Sequence, residues 1–390
     1  MITRFFRCLL SYPSARRIRE SLARQRPPRP SIPESPQRIL CIQMNAIGDT
    51  IMTQPAWTAL RHRFAGAVIE LACQDHIRPL IKADPSLNQV TGIHMPRSGS
   101  QKSDHNRELQ KVVHAGHHDL IVDFSALGDV SAVVAANLNA FTAGFARYCK
   151  TPWSGFDLRS AYDIHAPYSE TDHIRALDLR LVQSVCGMPI AGKPPKLFIQ
   201  YDAVEKAMTL LRKWGVEEGG YIIVHPGAKW LPKRWPERHW KRLLTDLRDR
   251  FRKTILLLGA EEDRQVLKRI IASTGPAGIL PIIGEAVDVA AALIKTAAVC
   301  ICNDSAAMHI AAAVDTPLLA LFGPVSPSRS APPFDEKNIV FYSSMFCSPC
   351  TLYYSRSRCR RGINYCMYAI HPDEVIRRIG SIIDTVKTPL

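Results

Sequence analysis

The sequence predicts an α/β protein made of two doubly wound halves that face each other across a cleft. Short apolar runs of strand length recur along the chain without polar alternation, as strands covered on both faces of a parallel sheet require. Segments with apolar residues at helical spacing separate those runs. The pattern thins between Cys149 and Pro195, where turn residues and polar stretches thicken, and restarts clearly at Tyr221. Two such units suit a chain of 390 residues.

The first unit opens with the apolar run Arg38 to Met44, continues through a polar turn from Asn45 to Thr50, and enters a helix over Ile51 to Phe64 marked by Met52, Ala56, Leu60 and Phe64. Val68 to Ala72 and Leu120 to Phe124 read as further strands, and His173 to Val185 as a helix. In the second unit the expected strands are Tyr221 to Val224, Thr254 to Leu258, Ile282 with Ile283, Val299 to Cys302, and Leu318 to Phe322. Helices between them span Pro236 to Phe251, Glu262 to Ser273, Val287 to Ala298, and Ala306 to Val314. The expected organisation is a basic arm at 1–37, a first domain at 38–200, and a second at 201–390.

Composition narrows the function classes. With 46% hydrophobic residues the chain can bury two cores, which excludes disorder or a fibre for most of its length. Segments such as Ile255 to Ala260 are far too short to span a bilayer. The eleven cysteines are mostly scattered, which suits a reducing compartment such as the cytoplasm. The balance of 50 Lys plus Arg against 35 Asp plus Glu gives +15, and much of it sits in the arm, where eight Arg face Glu20 and Glu34. Phe5, Phe6, Leu9 and Leu10 give that arm an apolar side, so it could lie on an anionic membrane surface. A free basic tail is the plainer reading.

Ligands of open α/β sheets bind beyond the carboxyl ends of the strands, so the loops after Met44, Val224, Leu258 and Cys302 carry the candidates. Asn303-Asp304-Ser305 opens a helix whose free N–H groups suit an anion, while Asp304 could hold sugar hydroxyls with His309 one turn on. After Val224, His225-Pro226-Gly227 leads to Lys229, Lys233 and Arg234, cations able to neutralise a diphosphate, with Lys233 the preferred ligand. Trp230 and Trp235 beside them read as aromatics with a surface or ligand to cover. Glu261, past the next strand, could take ribose hydroxyls. In the first loop Asn45, Gly48 and Asp49 stand at a strand-to-helix junction, where Asp49 could accept the proton of an attacking hydroxyl. Neither G-x-G-x-x-G nor a P-loop occurs there, which argues against nicotinamide hydride transfer and P-loop phosphoryl transfer.

Taken together, these residues resemble glycosyltransferase family 9, the heptosyltransferases of the lipopolysaccharide inner core. The resemblance runs from Arg38 over nearly all of the chain and rests on Arg38-Ile39-Leu40-Cys41-Ile42, Gly48-Asp49, Pro55-Ala56, Lys233-Arg234-Trp235-Pro236, Leu258-Gly259-Ala260-Glu261, Asn303-Asp304-Ser305 with Met308-His309, and Phe322-Gly323-Pro324. It implies a GT-B fold with the ADP-heptose donor on the second domain and a lipopolysaccharide core acceptor on the first. It further implies Asp49 as general base and Lys233 as the group that offsets charge on departing ADP. His225, Gly227, Glu261, Asp304, Ser305, Ala306 and His309 would complete the donor site, and Asn45, Arg61 and Arg63 the acceptor side. The family inverts the anomeric centre without a metal cofactor. Many members have Gly where this chain has Ala306.

Cys347, Cys350, Cys359 and Cys366 form a C-x2-C pair followed by two more cysteines, a set that could hold a structural zinc or iron or remain free thiols. Arg356, Arg358, Arg360 and Arg361 lie between them and offer charge to a phosphorylated glycolipid or membrane. No nucleic-acid recognition motif accompanies that charge, so nucleic acid is not an expected partner. The expectation is an enzyme at the cytoplasmic face of the inner membrane. The alternatives are heptose transfer to a protein and a catalytically silent nucleotide-sugar-binding partner of an assembly complex.

Overall fold

The computed structural model describes residues 32–94, 102–135, 137, 139–146, 162–333, 335–350, 358–359 and 361–386. The expected basic arm therefore lies, up to residue 31, outside the described residues, as do Arg356 and Arg360.

Two six-stranded sheets form the frame. The first contains β1 (Arg38–Gln43), β2 (Val68–Gln74), β3 (Gln89–Ile93), β4 (Leu120–Asp123), β5 (Phe141–Ala146) and β6 (Ile164–Pro167) in the order β3-β2-β1-β4-β5-β6. The second contains β7 (Tyr221–His225), β8 (Thr254–Gly259), β9 (Ile279–Ile283), β10 (Val299–Asn303), β11 (Leu318–Phe322) and β12 (Asn338–Tyr342) in the order β12-β11-β10-β7-β8-β9. Every pairing is parallel, from β1 with β2 and β4 to β7 with β8 and β10. Each sheet thus runs outward from its first strand in two directions, the doubly wound arrangement, with the reversal between β1 and β4 and between β7 and β10. Strands such as β10 and β11 are buried at every position, which explains their unbroken apolar runs.

Among the described residues, ten helices longer than one turn accompany the sheets: α1 (Ile47–Arg63), α2 (Lys102–Ala115), α3 (Gly128–Ala135), α4 (Ile174–Cys186), α5 (Tyr201–Lys213), α6 (Glu237–Phe251), α7 (Arg264–Thr274), α8 (Val287–Lys295), α9 (Ala306–Ala313) and α10 (Pro372–Val386). Helix α4 packs on α1, α5 on α8, α10 on α6, and α9 bridges to α1. One buried apolar cluster consequently runs through both halves, from Ile39 and Trp57 through Leu177 and Ala203 to Ala291 and Ala307. None of the described helices is long and apolar enough to cross a membrane.

Each sheet has strands beyond those expected: β3, β5 and β6 in the first and β12 in the second. β6 and β12 are only partly buried, so they lack the continuous apolar signature of the central strands. The polar segment expected as a turn from Asn45 to Thr50 is shorter, because α1 begins at Ile47. Asp49, the third residue of that helix, accepts the Ala46 backbone N–H at 3.1 Å, and a carboxylate in the first turn favours helix here.

Candidate active site

The carboxyl ends of β1 and β4 face those of β7 and β10, and the loops there hold most of the expected residues. On the first side Asn45 spends its side-chain amide on the Ser125 carbonyl at 2.9 Å, tying the loop after β1 to the loop after β4. The Gln74 amide donates to the carbonyls of Met44 and Asn45 at 2.7 and 2.8 Å. Asp49 is thereby presented on a fixed turn. Burial raises its pKa above the usual carboxylate value, the Ala46 amide and the charges of Lys233 and Arg329 pull it back, and Asp304 pushes it up. The influence of Lys233 and Asp304 on Asp49 means that the two loops address the same space.

On the second side the loop after β7 is pinned from beneath. Fully buried Asn303, the last residue of β10, donates to the Pro226 carbonyl at 2.7 Å and accepts the Trp235 backbone N–H at 3.1 Å. Arg234 donates to the Ala228 carbonyl at 2.9 Å and to Asp263 Oδ1 at 2.8 Å, which locks this loop to the one after β8. Gly227 is required by that lock, since a β-carbon there would stand 2.4 Å from Asp263 Oδ2. With the loop so held, Lys233 Nζ reaches Asp304 Oδ2 at 2.6 Å and lies 4.9 Å from the Trp230 ring centroid. Ser305 is the N-cap of α9, yet its side chain does not cap the helix. Its hydroxyl sits 3.2 Å from His225 Nδ1 instead, leaving the first-turn amides of α9 to other acceptors.

His309, one turn into α9, is buried, and desolvation lowers its pKa to about 4, with Asp304 opposing and Lys233 and His173 assisting. Its ring lies against Gly48 of α1. Two further contacts join the halves: Ala331 carbonyl with His173 Nε2 at 3.0 Å, and Arg329 with the Ser169 carbonyl at 2.9 Å, the Tyr168 hydroxyl at 2.7 Å and the Asp172 carbonyl. The sequence names Asn303 only as the first residue of the Asn303-Asp304-Ser305 motif, without a role of its own, and gives none to Arg329, His173 or Asp178. Asn303 was visible as the residue closing an apolar run, whereas nothing local marks Arg329.

Several expectations are corrected. Trp235 covers no ligand surface: it is buried in the second core, its indole N–H donating to the Ile370 carbonyl at 3.0 Å. Helix α1 carries the backbone of Arg61 about 18 Å and that of Arg63 about 21 Å from Asp49, at about 1.5 Å per residue. Arg61 donates to the carbonyls of Ser86, Ala65 and Ala67 and to Asn88 Oδ1, and Arg63 lies over the Phe64 ring. Glu261 stands at the end of β8 as expected, but its carboxylate is taken up by Arg264 at 2.5 and 2.6 Å, which lowers its pKa. Among the described residues, no group of three or more His, Cys, Asp or Glu side chains is placed to hold a metal ion. Cys347, Cys350, Cys359 and Cys366 are near enough to influence one another, and burial, with smaller contributions from the other three, lifts Cys366 to about 11.

Two doubly wound domains, each on a six-stranded parallel sheet, meeting at the carboxyl ends of their strands have the architecture of the GT-B fold. A family model described as Glycosyltransferase family 9 (heptosyltransferase) matches residues 106–359. Lipopolysaccharide heptosyltransferase 2 of Escherichia coli K12 is 28% identical over 319 residues, 77% of this chain and 86% of that protein. Lipooligosaccharide heptosyltransferase 2 of Haemophilus ducreyi is 25% identical over 366 residues, 89% and 99% of the two chains. The solved structure of E. coli ADP-heptose lipopolysaccharide heptosyltransferase II superposes with a TM-score of 0.69 at 20% identity, covering 90% of this chain and all of that one. The chain belongs to glycosyltransferase family 9, the heptosyltransferases.

Proposed function

We propose that this enzyme transfers heptose with inversion from ADP-heptose to a lipopolysaccharide inner-core acceptor. The observation that carries the reading is the meeting of Asp49 with the Lys233–Asp304 pair across the cleft. Asp49 takes the proton of the attacking acceptor hydroxyl, and its raised pKa is the direction a base near neutrality needs. As the new bond to the anomeric carbon forms, the bond to the diphosphate breaks, and the electron pair leaves on ADP. Lys233 and the amides of Ser305 and Ala306 offset that charge electrostatically, while Asp304 and His309 hold heptose hydroxyls. Donor contacts at His225, Gly227 and Glu261 are part of the same reading, with Glu261 exchanging Arg264 for ribose hydroxyls. The names of the relatives, lipopolysaccharide and lipooligosaccharide heptosyltransferases, support this acceptor class, and such an acceptor places the enzyme at the cytoplasmic face of the inner membrane. No step requires a metal.

Calorimetric titration with ADP-heptose, ADP-glucose and UDP-glucose, followed by turnover with truncated core acceptor, tests the proposal. Selective ADP-heptose binding and acceptor-dependent ADP release are expected. Preference for another donor would overturn the heptose assignment. In Asp49→Asn, turnover should vanish while ADP binding stays nearly intact.

A further inference from the structure

Beneath Asp49 lies a closed set of polar side chains that the chemistry above does not use. Thr53, one helical turn after Asp49, is buried together with Gln43 of β1 and Asp178 of α4. Thr53 Oγ1 stands 2.9 Å from the Asp49 carbonyl oxygen, 2.8 Å from Gln43 Nε2 and 2.7 Å from Asp178 Oδ2. A hydroxyl offers one proton and two lone pairs. The Gln43 amide can only donate here, and the Asp49 carbonyl can only accept. All three contacts are therefore satisfied together when Asp178 is a neutral acid that donates to Thr53 Oγ1, which in turn donates to the Asp49 carbonyl. The competing arrangement leaves an ionised, buried carboxylate held by a single hydroxyl, with the charge of Asp49 close by, an expensive state. Arg329, the cation acting on both carboxyls, already serves Tyr168, Ser169 and Asp172. Burial, with Asp49 adding to it, lifts the Asp178 pKa well above the carboxylate range, while Thr53 and Arg329 oppose it. Lys233 and Asp304 face Asp49 from the other domain.

We propose that Thr53 and Asp178 are positioning residues for Asp49: the neutral Asp178 carboxyl, through Thr53, clamps the first turn of α1 and holds the Asp49 carboxylate in place without adding a second negative charge beside it. The inference rests on Asp49 being the base. Gln43 continues the clamp, since its Oε1 accepts the Asn45 backbone N–H at 3.1 Å, so the loop before α1 and the turn within it are held by one network.

The full-length enzyme tests this. Thr53→Val and Asp178→Leu should each lower kcat by about tenfold or more with the ADP-heptose KM within about twofold, since a displaced base affects the chemical step rather than donor binding. Asp178→Asn, which keeps a neutral donor, should restore kcat and leave the acid limb of the pH profile where it is in the parent. Unchanged kcat in Thr53→Val, or an acid limb that moves in Asp178→Asn, would overturn the proposal. Should Thr53→Val or Asp178→Leu fail to fold, carboxyl 13C resonances of the unsubstituted protein decide the matter. The resonance missing from Asp178→Asn is expected to show a protonated acid at pH 7, and an ionised one overturns the neutral clamp. Full turnover in Asp49→Asn would overturn the base while leaving that resonance to report on Asp178 independently.

Discussion

The His309 ring occupies the space that a β-carbon on Gly48 would need, 2.4 Å from its Cδ2 and 2.7 Å from its Nε2. The first turn of α1 and that of α9 come from different domains, and this contact lets them approach until Asp49 and Asp304 influence each other. Alanine in a helix normally gains about 0.5–1 kcal/mol over glycine. Here Gly48→Ala should cost about 1–2 kcal/mol net, because overpacking costs about 1–3 kcal/mol and the ring is buried. Denaturant unfolding should show the loss and acceptor turnover should fall with it; unchanged stability would mean the ring moves freely.

Removing the cation at Lys233 tests the ion pair with Asp304. Lys233→Ala leaves a buried carboxylate without its counter-charge, worth about 2–4 kcal/mol because part of the lysine remains in solvent. ADP release in the acceptor assay should slow by about 100-fold or more, the usual effect of deleting one electrostatic stabiliser. A slowdown below about tenfold would assign the leaving-group charge to the helix amides instead.

His309 predicts an acid-sensitive fold. Its folded pKa of about 4 lies below the ordinary value of 6.5, so between those pH values the unfolded chain binds the proton and the native one does not. Stability is complete above pH 6.5 and falls as pH drops toward 4, by up to about 3 kcal/mol from this residue. His239, lowered to about 4 by burial and by Arg238 and His371, acts in the same sense. Unfolding midpoints at pH 7 and pH 5 should differ accordingly, and less so in His309→Gln.

Arg61 separates a structural role from an acceptor-binding one. Arg61→Ala should lower stability by about 1–3 kcal/mol through the carbonyls left without donors. The acceptor KM should not move. A several-fold rise in KM with stability unchanged would return Arg61 to the acceptor site.

The loop-borne part of the site was readable because its signals are local. Lys233 and Asp304 follow an apolar strand and precede a helix, and Asp49 stands in the first turn of the helix after β1; a strand end followed by a helix start is where an open α/β sheet exposes ligands. Arg61 lies twelve positions from Asp49 in the sequence, and α1 carries it away at a fixed rise per residue. Trp235 misled because an aromatic beside a cationic loop reads alike whether it turns outward to a ligand or inward to Ile370.

By itself the sequence determined the alternation of strand and helix, the two-domain plan and the identity of the loops at the cleft, all of which follow from side-chain period and helix-end chemistry within a dozen residues. Only the tertiary structure decided that Asp178 sits beneath Thr53, that Arg329 reaches Tyr168, and that His309 meets Gly48. Those partners are separated by 125, 161 and 261 positions. Their meeting depends on how remote helices pack across one shared core, which no local pattern encodes.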